Sequence, residues 1–144
     1  MTDNLLFPPK GKDRYEAVVD GHCYYVDKTP LLKAVFSDNS DQVLQITRPR
    51  RFGKSLTMSM FYAFLTINYK DPSDLSRHQE LFSNSQIYKE RDFCKNYMGK
   101  YPVLFLSLKS VSALDFKGAL DMMASIINSL ADSLNFYKAV SICR

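Results

Sequence analysis

Tryptophan is missing from this sequence altogether, histidine occurs only twice and cysteine three times. Cys23, Cys94 and Cys143 stand far apart, with no C-x-x-C pair and no histidine couple nearby. Neither a disulfide framework nor a zinc site is encoded in that pattern. Three reduced thiols fit a cytoplasmic protein. No stretch approaches the roughly 20 apolar residues that cross a bilayer. The opening MTDNLLFPPKGKDRYE carries an acid at position 3 and no apolar run of signal length. The expectation is a cytoplasmic chain with no membrane partner. Internal repeats and low-complexity tracts are absent as well.

What is present is an ordinary globular composition, 46% apolar and 24% charged, with ten Phe and nine Tyr to fill a core. A length of 144 residues accommodates one compact domain and not two. The formal charge of +4 suits an anionic partner but is too small to specify one. Where the charge sits matters more than its sum.

Along the chain, residues 1–20 hold Pro8, Pro9 and Gly11 among charges and read as an N-terminal arm, with the domain proper over 21–144. His22 to Val26 is a short β-prone run. Thr29 is placed to cap a helix opened by Pro30, since proline at the first helical position loses no needed hydrogen bond. That helix stops in the turn-rich Ser37 to Asp41. Val43 to Ile46 reads as a strand, and Leu56 to Ile67 as a largely buried helix. Two weaker helical stretches follow, over 75–82 and 87–97. Val103 to Leu108 is apolar at nearly every position, the pattern of a strand covered on both faces. Finally, Phe116, Leu120, Met123, Ile127, Leu130, Leu134 and Tyr137 recur at spacings of 4, 3, 4, 3, 4 and 3. That period predicts a helix over 114–137, wide-faced enough for a core helix. The order strand, helix, strand, helix implies an α/β fold: a three-layer core with a small, mostly parallel sheet flanked by helices.

Between the first expected strand and the helix after it lies Arg48-Pro-Arg-Arg-Phe-Gly-Lys-Ser55. A turn ending in Gly-Lys-Ser at a helix N-terminus is how a phosphate-binding loop ends. Backbone N–H groups from Arg51 to Ser55 would face an anion, with the helix dipole behind them. Gly53 admits the anion without a Cβ in the way. Lys54 would reach the β- and γ-phosphates, and the Ser55 hydroxyl would ligate Mg²⁺. The general pattern G-x-x-x-x-G-K-S asks for glycine at position 48, where this chain has Arg48.

Three segments in order, Tyr24-Tyr-Val-Asp-Lys-Thr29, the loop Arg48 to Leu56, and Tyr101-Pro-Val103, resemble the bacterial AAA-ATPase-like family. Its members carry a VDKT element, an RPRRFGKSL loop and a YPV segment, and the resemblance spans roughly residues 20 to 135. It implies a P-loop NTPase-like domain in which Arg48 is the usual residue. It also implies a nucleotide site built from Arg50, Arg51, Phe52, Gly53, Lys54, Ser55 and Leu56, with ATP or ADP and Mg²⁺ as cofactors and Ser55 as the metal ligand. Asp27 and Lys28 acquire no role from the resemblance and read as a structural turn. Full-length members continue into an acidic Walker B strand, which has no counterpart here, so the chain reads as a truncated domain not expected to hydrolyse ATP by itself.

Three functions stay open at this point. The chain is a nucleotide-binding partial ATPase domain, or a small inhibitor that reuses the scaffold to bind a larger protein, as a phage or mobile-element anti-defence protein would. The third option is nucleic-acid phosphate binding through Arg48, Arg50, Arg51 and Lys54, ranked last because aromatic interleaving is limited to Phe52. Without later strands, an uncovered sheet edge or the 114–137 helix is expected to recruit a second copy or a larger protein.

Overall fold

The computed structural model of the chain describes residues 8–37, 43, 45–47, 49 and 51–133. Helix α1 (Tyr15–Asp20) buries Tyr15 and Val18. Helix α2 (Pro30–Ser37) opens on its proline and buries Leu32 completely. Helix α3 (Lys54–Leu65) runs to the extended Thr66 and buries Met60, Ala63, Phe64 and Leu65. Helices α4 (Ser76–Phe82) and α5 (Arg91–Tyr97) follow, joined through a 3₁₀ turn at Ile87–Lys89. A second 3₁₀ turn, Leu108–Ser110, precedes the long helix α6 (Phe116–Ser133). The helices expected over 30–36 and 75–82 are thus present, the one expected over 56–67 runs from Lys54 to Leu65 instead, and the stretch expected over 87–97 divides into the 3₁₀ turn and α5. The part of the apolar stripe at Leu134 and Tyr137 lies outside the described residues.

Helix α3 is the centre of the packing, with α1 and α4 against it and α1 also against α4. The core is a run of aromatic rings. Tyr25 meets Tyr15 edge-on at 5.4 Å, Tyr15 stacks on Phe82 at 4.9 Å, and Phe82 meets Phe64 edge-on at 5.2 Å. Phe64 continues to Phe93 at 5.9 Å, and Phe93 to Tyr97 at 4.6 Å. Offset-stacked and T-shaped arrangements are the geometries the ring quadrupole favours. The run joins residues from 15 to 97, so ring burial ties together elements that share no backbone ladder.

Two turns fasten the frame. Asp27 accepts the N–H of Thr29 on one carboxylate oxygen (2.8 Å) and that of Gln86 on the other (2.7 Å). The Thr29 hydroxyl accepts the Ile87 N–H at 3.2 Å. Residues 27 and 29 therefore clamp the start of α2 to the turn 58 residues onward. After α5, Gly99 takes φ +63° and donates its N–H to the Phe64 carbonyl at 2.9 Å. A Cβ there would fall 2.6 Å from Leu75 Cδ2, so a larger residue would have to displace that side chain as well as adopt a left-handed backbone.

The sheet expected from the sequence is not formed: among the described residues there is no strand, and pairing is confined to isolated bridges such as the parallel one between Thr66 and Tyr101. The three-layer α/β core is therefore corrected to a helical assembly. Tyr101 donates to the Leu65 carbonyl (3.0 Å) and accepts from Ile67 (2.9 Å), and the ladder goes no further. Pro102 has no N–H to offer a neighbour on the opposite edge. Beyond it, Val103 and Phe105 turn inward while Leu104 and Leu106 are exposed. Val43, Gln45 and Ile46 have no regular structure, and Val43 is 83% exposed. Both apolar runs signalled hydrophobicity correctly, but a short apolar run does not encode a partner for its backbone. Helix α6 also departs from the core role: Phe116, Leu120, Met123 and Ile127 are exposed. With no sheet among the described residues, the exposed apolar surface there includes this helix face and the Leu104 to Leu108 segment, not a sheet edge.

Candidate functional site

Helix α3 begins where the Gly-Lys-Ser signal placed it. Gly53 stands at the N-cap with φ +74° and ψ 25°, a left-handed conformation that suits glycine. It brings no side chain to cap the helix, and the first turn contains no acid. The Gly53 carbonyl accepts the first intrahelical bond, from Thr57 N–H at 2.8 Å. Helix N-termini leave their first N–H groups without intrahelical acceptors and carry partial positive charge. Two residues earlier, Arg51 has φ +68°, a conformation uncommon for a residue with a Cβ. Left-handed residues at 51 and 53 fold the chain tightly around Phe52, which is 57% exposed.

Of the residues expected in the loop, Arg51, Phe52, Lys54 and Ser55 are exposed, while Gly53 and Leu56 are half-buried. Leu56 packs against the core beside its helix neighbours. Arg48 and Arg50 lie outside the described residues. The cationic loop that the nucleic-acid reading required is thus described only at Arg51 and Lys54.

Sequence reasoning missed what surrounds the loop. The Lys28 ammonium lies 3.3 Å from where a Cβ on Gly53 would stand. The VDKT turn, read as purely structural, thus places its lysine at the Gly-Lys-Ser corner, 25 residues away in sequence. No local signal could have shown this contact, because it depends on how α2 and α3 pack.

On the other side, Ser55, Ser59 and Tyr62 project from one face of α3 into a cleft of about 390 Å³. Its far wall comes from Arg14, Tyr15 and Glu16 at the start of α1, from Phe105 and Lys109, and from Leu130 of α6. The Tyr15 N–H donates to Ser59 Oγ at 2.8 Å, and Ser59 Oγ donates to the Leu56 carbonyl at 2.9 Å. That pair fixes the start of α1 on α3. Tyr62 and Phe105 meet edge-on at 5.8 Å within the wall. The volume falls in the class of small-molecule sites, upward of about 300 Å³. Ser55 belongs to both the loop and the cleft, so the two are continuous.

The acid–base chemistry behind the cleft is quiet. Burial pushes the Tyr15 phenol well above its ordinary range and the Tyr25 phenol up to about 12. Both stay neutral under physiological conditions and serve as packing and hydrogen-bonding groups: Tyr15 Oη donates to the Leu81 carbonyl and Tyr25 Oη to Met60 Sδ, each at 3.4 Å. Among the described residues no group of three or more His, Cys, Asp or Glu side chains is arranged to hold a metal ion. No helix among them is long and apolar enough to cross a membrane.

A family model named AAA-ATPase-like and described as a predicted AAA-ATPase matches residues 9–141. No curated protein and no solved structure matches the chain.

Proposed function

The chain belongs to the predicted AAA-ATPase-like family, and from that premise we propose that the corner Arg51 to Ser55 binds the phosphates of ATP or ADP. The observation that carries this is Gly53 in the left-handed N-cap of α3, followed directly by Lys54 and Ser55. Backbone N–H groups that Gly53 cannot cap with a side chain, the helix dipole and a lysine converge there, and the first turn of α3 carries no acid. The cleft that begins at Ser55 receives the rest of the nucleotide, with Tyr62 and Phe105 as apolar walls.

The residues present also fit Mg²⁺. This ion keeps most of its waters and takes few protein ligands besides substrate phosphates. One exposed hydroxyl, that of Ser55, would suffice from the protein side. When bound, the ion would neutralise phosphate charge. The chain's own contribution is to hold the phosphates at the α3 terminus.

The test is calorimetry with ATP and ADP on the folded, monodisperse chain. Lys54→Ala is expected to weaken binding by about 1.5–3 kcal/mol, the scale of a hydrogen bond to a charged group. Absence of any nucleotide binding to the unmutated chain overturns the proposal.

A second reading, protein contact, is favoured by one observation: α6 presents Phe116, at 78% exposure, with Leu120, Met123 and Ile127 on one face. Burial of such a face yields roughly 25 cal/mol per Å² before ordering costs. A second copy of the chain or a larger protein would cover it.

A further inference from the structure

We infer that Lys28 is a second phosphate-binding cation of the site, supplied from the turn before α2 and not from the loop itself. The inference rests on the nucleotide reading above and extends it to a residue the loop motif does not contain.

Placement comes first. The Lys28 ammonium stands 3.3 Å from the Cβ position of Gly53, directly against the corner that must stay open for an anion. Its backbone is held in place: the N–H donates to Tyr25 Oη at 3.4 Å, and the carbonyl accepts the Leu31 N–H at 3.0 Å. The side chain is half-buried, so its reach is limited and its direction is set by its surroundings.

Charge comes second. The carboxylate beside it in sequence is turned to other donors, its two oxygens accepting the N–H groups of Thr29 and Gln86. Among the described residues Lys28 forms no ion pair. It stands instead at the positive end of the α3 dipole, where Arg51 and Lys54 are near in sequence and the first turn carries no acid. A cation there is unfavourable for the protein alone, because the dipole stabilises anions at that end. Packing that holds a lysine against its own electrostatic preference makes sense when a polyanion completes the arrangement.

Backbone conformation comes third. Arg51 at φ +68° keeps a left-handed geometry that its Cβ disfavours. With Gly53 also left-handed, the corner is bent so that it faces Lys28. The ligand class this serves is a nucleoside di- or triphosphate, whose chain of phosphates can be held by Lys54 and Lys28 together.

The test compares the unmutated chain with Lys28→Met, Lys28→Arg and Lys54→Ala, using ATP and inorganic tripolyphosphate as separate probes in calorimetry. Lys28→Met is expected to weaken both by about tenfold or more, and Lys28→Arg to restore most of the loss. The salt dependence of ATP affinity should become shallower in Lys28→Met, as it does when a phosphate contact is removed. If Lys54→Ala weakens binding while Lys28→Met does not, the inference fails and the nucleotide reading stands. If the unmutated chain binds neither probe, both fail. Should Lys28→Met prove unfolded, the unmutated chain supplies the answer: ATP is expected to protect Lys28 from acetylation, read by mass spectrometry, and to leave exposed Lys10 unprotected. Equal modification of Lys28 with and without ATP, where ATP binds, overturns the inference.

Discussion

At the residue scale, the site depends on one missing side chain. Gly53 combines a left-handed backbone with a Cβ position crowded by the Lys28 ammonium at 3.3 Å. Gly53→Ala is expected to lower stability by about 1–2 kcal/mol, the penalty of a Cβ in the left-handed region, and to weaken ATP binding as well. Chemical denaturation with calorimetry in parallel checks both effects. The tyrosines offer a pH signature. The Tyr25 phenol, pushed up to about 12 by burial, stays protonated in the folded chain where an unfolded tyrosine begins to ionise near 10. The folded state binds the proton more tightly, so its contribution to stability is complete below about pH 10 and is lost as pH rises toward 12. Urea titrations across that window should show stability falling with pH, less steeply in Tyr25→Phe. Buried Tyr15 shifts in the same direction and adds to the slope.

At the scale of elements, ring contacts do the joining that a sheet was expected to do. Phe82 is completely buried, stacked on Tyr15 of α1 and edge-on to Phe64 of α3. Phe82→Ala is expected to cost about 3–5 kcal/mol, lost transfer free energy plus a cavity between three helices. In a domain whose total stability is of the order of 5–15 kcal/mol, circular dichroism should show a large fall in Tm or loss of the fold. The helices were legible because their apolar residues recur at helical spacing and Pro30 and Gly53 mark boundaries. The strands were misread for a physical reason. Val103 to Leu108 is apolar, but pairing needs a neighbouring backbone at the right distance, and its ladder contacts end at Tyr101.

At the scale of the whole molecule, the apolar face of α6 is the largest departure from an ordinary core helix. Ile127 is 53% exposed, so Ile127→Glu is expected to change stability by no more than about 0.5 kcal/mol. The same substitution should reduce self-association or partner binding if this face is covered in the assembled state. Sedimentation velocity of the two chains over a concentration series checks this. Identical sedimentation of both as monomers would remove self-association as the role of the face.

Much of the candidate site was written in the chain itself. Gly53, Lys54 and Ser55 are adjacent, and a helix N-terminus is a local structure whose cap, dipole and backbone donors depend on a few consecutive residues. Family membership, matched over residues 9–141, was legible for the same reason: it is a property of residue order. The tertiary structure alone decided what stands around that corner. Lys28 reaches Gly53, Tyr15 reaches Ser59 44 residues away, and Asp27 reaches Gln86 59 residues away, each through packing between distant elements. It also decided that two apolar runs would not pair as strands and that α6 would keep an uncovered face. Hydrophobicity is a property of each residue, whereas pairing and burial belong to the surfaces that meet.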